Sequence, residues 1–236
     1  TTHLPSTDRS GPWTAAWVGA DARAAAVVAD LVDRAPFDEP AVTIALDQTL
    51  PSGANLVVAN SMPLRDLDAF LPTSDRPLRI LGNRGASGID GQVSTALGVA
   101  AGSSEPPVLF AGDLAFLHDV GGLTAAGRLG LDLTVVLVDN DGGGIFRFLP
   151  IADESHVDHH RLFHTPHRLD HGHAAALAGG HLHRPTDRAG LDQVLSVTVG
   201  SRGLHLVHVA VDASTNVGLH RAAAIAVDRA LADYGT

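Results

Sequence analysis

The sequence predicts an α/β fold, a three-layer α/β/α arrangement around a central, mainly parallel six-stranded sheet. Three observations carry this expectation. Short apolar runs alternate with longer helical stretches along most of the chain. The runs are apolar almost throughout, as strands covered on both faces must be. Finally, 236 residues with 45% hydrophobic and 18% charged residues suffice for one large domain with a full core.

Taken in order, residues 1–12 read as a polar tail or linker from a preceding domain, and 13–236 as the domain itself. Ser10-Gly11-Pro12 is a helix start, because proline is tolerated in the first turn. An Ala-rich helix then runs over about Trp13–Arg34 and a second over Pro40–Leu50, ended by Pro51-Ser52-Gly53. The strands follow at Asn55–Ala59, Leu78–Leu81, Val108–Ala111, Leu133–Val138, His181–Arg184 and Leu204–Val211, bounded by Gly, Pro, Asn or Asp. Helices are expected at Leu64–Phe70, Ile89–Ala101, Ala115–Leu129, Ala174–Ala178, Leu191–Ser196 and Val217–Ala232. Pro150–His173 is the one long irregular segment, and such loops often carry function.

Composition excludes several chemistries. Cysteine and lysine are both absent, which removes disulfides, thiolate metal sites, Schiff-base lysines and a phosphate-loop lysine. A net charge of −10 and only 4% aromatic residues argue against nucleic acid as a partner. No apolar run approaches the ~20 residues of a transmembrane span, and the first residues show no secretory signal.

In a parallel sheet, ligands gather where the strands end. One strand ends in Gly112-Asp113-Leu114 and the next in Asn140-Asp141-Gly142, with one helix between. Both side chains then face one crevice. Asp and Asn oxygens with a backbone carbonyl form an all-oxygen set suited to Mg²⁺ beside phosphate. Gly142 can turn its carbonyl to the ion where other residues resist, and the Gly-rich loop lets amides approach a phosphate.

The flanks make a resemblance specific. Asn60-Ser61-Met62-Pro63-Leu64-Arg65-Asp66, Gly82-Asn83-Arg84-Gly85-Ala86-Ser87-Gly88-Ile89-Asp90-Gly91, Gly112-Asp113-Leu114, Asn140 through Phe146 and Thr165-Pro166-His167 occur in this order. Together they resemble the C-terminal portion of the 2-succinyl-5-enolpyruvyl-6-hydroxy-3-cyclohexene-1-carboxylate (SEPHCHC) synthase family, thiamin-diphosphate enzymes of menaquinone biosynthesis. The resemblance covers the chain from about Trp13 and implies the diphosphate-binding domain. It implies that Asp113, Asn140 and Gly142 hold Mg²⁺ (or Mn²⁺), and that Ser87, Gly88, Ile89, Gly112 and Leu114 line the thiamin diphosphate site, with Ile89 as its prop. It implies that Ser61, Arg65 and Arg84 bind the carboxylates of 2-oxoglutarate and isochorismate, with Ile145, Phe146 and Leu149 as the apolar wall. The implied reaction decarboxylates 2-oxoglutarate and adds the remaining carbanion to isochorismate. A cytoplasmic homodimer or homotetramer is implied. Acetohydroxyacid-synthase-like enzymes and a non-catalytic phosphate-binding domain stay open as alternatives.

Two features complete the reading. The family's catalytic Glu belongs to the N-terminal pyrimidine-binding domain, supplied by a neighbouring subunit. None of the three Glu here, at positions 39, 105 and 154, fits its context, so no catalytic residue is expected on this chain. Nine of the 14 His fall between His156 and His183 and are expected to form a solvated flap rather than a metal site.

Overall fold

The computed structural model describes residues 11–232 and 234; the expected tail at residues 1–10 lies outside them. The elements run α1 (Pro12–Arg34), α2 (Glu39–Thr49), β1 (Asn55–Val58), α3 (Met62–Phe70), β2 (Arg79–Leu81), α4 (Gln92–Gly102), β3 (Val108–Gly112) and α5 (Asp113–His118). They continue with α6 (Leu123–Leu129), β4 (Leu133–Asp139), α7 (Gly172–Leu177), β5 (His181–His183), α8 (Arg188–Thr198), β6 (Leu204–Ala210) and α9 (Ala213–Leu231).

The six strands form one sheet in the order β2-β1-β3-β4-β6-β5, and every neighbouring pair is parallel. Alternate side chains leave the central strands toward opposite faces. Val57, Leu109, Val135, Leu137 and Leu206 pack with Val93, Phe116 and Leu123 on one face. Leu56, Phe110, Val136, Val138 and Val207 pack with Leu46, Leu67, Leu191 and Leu195 on the other. This is the expected sandwich, and α1 and α9 add an outer pair where Val32, Phe70 and Ala223 meet.

The topology positions the site. From β1 the chain leads outward to β2, while from β3 it leads to β4 on the opposite side. The direction of winding therefore reverses between β1 and β3, and the loops after these strands diverge to leave a crevice.

Two expected helices differ. The helix placed from Ile89 begins at Gln92, because Gly91 sits in the left-handed region at φ +68° and interrupts the helical path. Ile89 is thereby left in a loop, which Asn60 fastens by donating from Nδ2 to the Asn83 and Gly88 carbonyls at 2.9 and 2.5 Å. The helix expected over Ala115–Leu129 is two helices joined by a 3₁₀ turn at Val120–Gly122. There Asp119 accepts from the Ser94 amide and hydroxyl at 2.6 and 2.9 Å, and a side chain on Gly122 would strike Ser94.

Candidate functional site

A cleft lies at the carboxyl ends of β1, β3 and β4. Its walls include Asn60, Ser61, Ile89, Asp113, Asn140 and the Gly142–Phe146 turn. Asp113 opens α5 directly after β3, and its residue is 2% exposed. Its Oδ1 accepts from the Leu114 amide at 2.6 Å and its Oδ2 from the Gly142 amide at 2.7 Å. His167 Nε2 stands 3.1 Å from the same Oδ2. The His167 tautomer follows from its other nitrogen: Nδ1 accepts from the Leu169 amide at 3.0 Å, so Nε2 carries the hydrogen toward Asp113.

Gly142 has φ +145°, a conformation that a Cβ resists. Its carbonyl accepts from the Gly144 amide at 3.0 Å, which leaves a second lone pair. Asn140 follows β4, with its Nδ2 donating to Glu39 Oε1 at 3.0 Å. Its Oδ1 is buried and without a hydrogen-bond partner among the described residues. A buried acceptor normally finds a donor. An unpaired amide oxygen beside a buried carboxylate suits a hard cation, so the donor chemistry of Asp113, Asn140 and Gly142 fits Mg²⁺.

Electrostatics sharpen the picture. Burial pushes the Asp113 carboxyl up to about 7, and the nearby Asp139 carboxylate adds to the rise. Burial also opposes charge on Asp139, but the His171 and His208 imidazoles and the Asp141 amide outweigh it and hold that carboxyl well below the usual range. A cation placed beside Asp113 would favour its ionised form and offset the repulsion from Asp139.

Of the residues expected to hold the cofactor, Ile89, Gly112, Asp113, Leu114, Asn140 and Gly142 line the cleft. Ser87 and Gly88 sit in the adjoining loop instead. Ser87 is exposed, with its hydroxyl donating to the Arg84 carbonyl at 3.2 Å, and the Gly88 carbonyl accepts from Gln92 at 3.1 Å. Ser61, Ile145 and Phe146 line the cleft, whereas Leu149 is an exposed neighbour beyond its lining. Arg65 and Arg84 are exposed, outside the lining, and make no ion pair among the described residues. Arg65 Nη1 donates to the Ser61 carbonyl at 2.8 Å and Arg84 Nη1 to Asn60 Oδ1 at 2.7 Å, so both are tethered to the loop after β1.

Sequence reasoning missed Glu39. It does begin a helix, as read, but it also lines the cleft and is 1% exposed. Burial pushes its acid well above the ordinary value, and the neighbouring Asp66 carboxyl reinforces this. Asp66 is itself raised to about 7 by burial. The missed signal was Asp38-Glu39-Pro40, a helix start whose Glu precedes an apolar helix.

The solvated His flap is corrected in part. His156, His160, His173 and His181 are exposed as expected, but His159, His164 and His171 are buried, because the segment folds back on the Gly-rich turn. The Gly143 amide donates to the His164 carbonyl at 2.7 Å and the Arg168 amide to Asp141 Oδ1 at 2.6 Å. His208 Nε2 lies 2.7 Å and His171 Nε2 3.3 Å from Asp139 Oδ2, and ligand atoms of Asp139, His167 and His171 lie within 4.8 Å of one another. No helix among the described residues is long and apolar enough to cross a membrane.

Comparison with known proteins agrees with this geometry. Residues 67–209 match the family described as thiamine pyrophosphate enzyme, C-terminal TPP binding domain. The chain is 48% identical over 214 residues to a 2-succinyl-5-enolpyruvyl-6-hydroxy-3-cyclohexene-1-carboxylate synthase of Myxococcus xanthus, covering 89% of this chain and 36% of the relative. It is 44% identical over 235 residues to one from Chloroflexus aurantiacus, covering 98% of this chain and 40% of the relative. The chain thus spans less than half the length of these curated relatives. Its fold resembles an X-ray structure described as a thiamin diphosphate-dependent enzyme from Mycobacterium smegmatis, with TM-score 0.59 and 22% identity over 75% of this chain and 32% of that one. The Asp113, Asn140 and Gly142 set falls inside the matched segment, and the chain belongs to the thiamine pyrophosphate enzymes, as a C-terminal TPP binding domain.

Proposed function

We propose that this chain is the diphosphate-binding portion of an SEPHCHC synthase, a transferase that decarboxylates 2-oxoglutarate and joins the remaining succinyl-semialdehyde carbanion to isochorismate in menaquinone biosynthesis. The observation that carries the reading is the unpaired, buried Asn140 Oδ1 beside buried Asp113, in a cleft whose lining residues Ser61 and Asn60 each accept from an arginine that makes no ion pair among the described residues. The names of the similar curated proteins support the substrate assignment.

In this reading, Asp113, Asn140 and the Gly142 carbonyl would hold Mg²⁺ (or Mn²⁺), whose charge would attract the cofactor diphosphate. Bound thiamin diphosphate supplies the electron sink for decarboxylation. Ile89, packed against the core from its loop, supports the cofactor from one side of the cleft. Ser61, Arg65 and Arg84 orient the substrate carboxylates; a planar guanidinium binds a carboxylate through two parallel hydrogen bonds. Ile145, Phe146 and Leu149 exclude water from the reacting carbons. The initiating proton transfer requires a Glu from a pyrimidine-binding domain, contributed by a neighbouring subunit of a homodimer or homotetramer.

The test uses the complete enzyme with Arg65→Ala and Arg84→Ala. Losing a charged hydrogen bond is worth about 1.5–3 kcal/mol, so kcat/KM for 2-oxoglutarate should fall by roughly 10- to 100-fold. Turnover of pyruvate, which lacks the distal carboxylate, should change little. Equal losses for both substrates, or a wild-type preference for pyruvate, would sink the assignment and favour an acetohydroxyacid-synthase-like activity.

A further inference from the structure

We infer that Glu39 is the positioning residue for the metal site: it holds the Asn140 carboxamide so that its oxygen, not its nitrogen, faces the cation. This rests on the reading of Asn140 as a metal ligand. A carboxamide has two nearly isosteric ends, and only one of them can coordinate a cation. Something must therefore decide which way it points. Glu39 does so by accepting from Nδ2 at 3.0 Å, across 101 residues of sequence. With the nitrogen engaged, Oδ1 is left buried and without a partner among the described residues.

Glu39 is placed firmly enough for this task. It opens α2, where the Asp38 carboxylate accepts from its amide at 2.8 Å and Pro40 fixes the first turn. It packs beside Asp66 on α3, and Asp66 Oδ1 is 2.7 Å from His220 Nε2 on α9. The orientation of one amide after β4 is thus set by three helices. From the other side, Gly144 is close enough that an added Cβ would lie 2.5 Å from Asn140 Nδ2. The glycine leaves room for the amide, and the glutamate chooses its direction. The arrangement parallels metal sites in general, where outer partners orient the ligands and their loss costs about 10- to 100-fold in metal affinity.

The experiment uses the complete enzyme with thiamin diphosphate present and Mn²⁺ as the probe, read from the free-Mn²⁺ EPR signal rather than from turnover. Asn140→Ala reports on the ligand assignment and should weaken Mn²⁺ strongly. Glu39→Ala should weaken it by about 10- to 100-fold. Glu39→Gln keeps an sp² oxygen toward Asn140 and should stay within about threefold of wild type. The decisive arm is Asn140→Asp. A carboxylate has two equivalent oxygens and needs no orienting partner, so in that background Glu39→Ala should leave Mn²⁺ affinity unchanged or improved. An equal loss in both backgrounds would mean that Glu39 acts only through general structure and would overturn the inference. If Asn140→Ala weakens Mn²⁺ and Glu39→Ala does not, the inference fails alone. If Asn140→Ala itself has no effect, the reading of the site fails with it.

Discussion

Replacing Gly142 with alanine should disable metal-dependent cofactor binding while leaving the sheet intact. The added Cβ would stand 2.1 Å from the His164 carbonyl oxygen and 3.3 Å from that of Thr165. An ordinary carbon–oxygen contact needs about 3.3 Å, so the His164 carbonyl would have to retreat by roughly 1 Å. That carbonyl accepts from the Gly143 amide at 2.7 Å, so the retreat breaks the bond tying the His-rich segment to the turn. The backbone at φ +145° is strained for any residue with a side chain, at about 1–3 kcal/mol. Overpacking adds about 1–3 kcal/mol more. Relief by rotating the peptide would withdraw the Gly142 amide from Asp113 Oδ2, now 2.7 Å away. Even the lower sum, about 2 kcal/mol, weakens binding by about 30-fold. Isothermal titration of thiamin diphosphate into the Mg²⁺-loaded complete enzyme would measure this, with thermal melting as the folding control. Binding by Gly142→Ala within about threefold of wild type, with melting unchanged, would refute the reasoning.

Two further outcomes follow from the packing and the buried acids. Leu137 is fully buried on β4 at the sheet centre, so Leu137→Ala should cost about 2–5 kcal/mol in denaturant unfolding; a loss below about 1 kcal/mol would show that the site collapses around the deletion. Burial pushes the Asp38 carboxyl up to about 7, whereas the unfolded chain releases this proton near pH ~4. Between these values the folded state holds a proton that the unfolded state lacks, so Asp38 stabilises fully below the lower value and loses that contribution as pH rises to the upper one. Asp38→Asn, which can still cap α2, should therefore shallow the decline in melting temperature between pH ~4 and ~7; an unchanged or steeper decline would contradict it.

Much of the fold was legible because it is written locally. Val135–Val138 is apolar throughout, as a strand covered on both faces must be, Leu204–Val209 is apolar but for His205 and His208, and flanking Gly and Asp mark where they stop. The pair Asp113 and Asn140 was legible for the same reason, since each directly follows a recognisable strand. The spacing places Ile89 in a helix because apolar periodicity cannot show that Gly91, two residues later, turns left-handed; the loop is instead set by Asn60 from the turn after β1. The His-rich segment was read as solvated because polarity is a property of composition. The burial of His159, His164 and His171 comes from folding back onto the Gly142–Gly144 turn.

The sequence by itself determined where the strands and most of the helices lie, that the sheet is mainly parallel, and that an oxygen-rich pair ends adjacent strands. Those properties depend on residue type and short spacing alone. Only the tertiary structure decided that winding reverses between β1 and β3, that His167 donates to Asp113, and that Glu39 meets Asn140. Such contacts join elements distant in sequence. They depend on the order in which strands pair and on the side to which each crossover helix returns, and no local pattern encodes either.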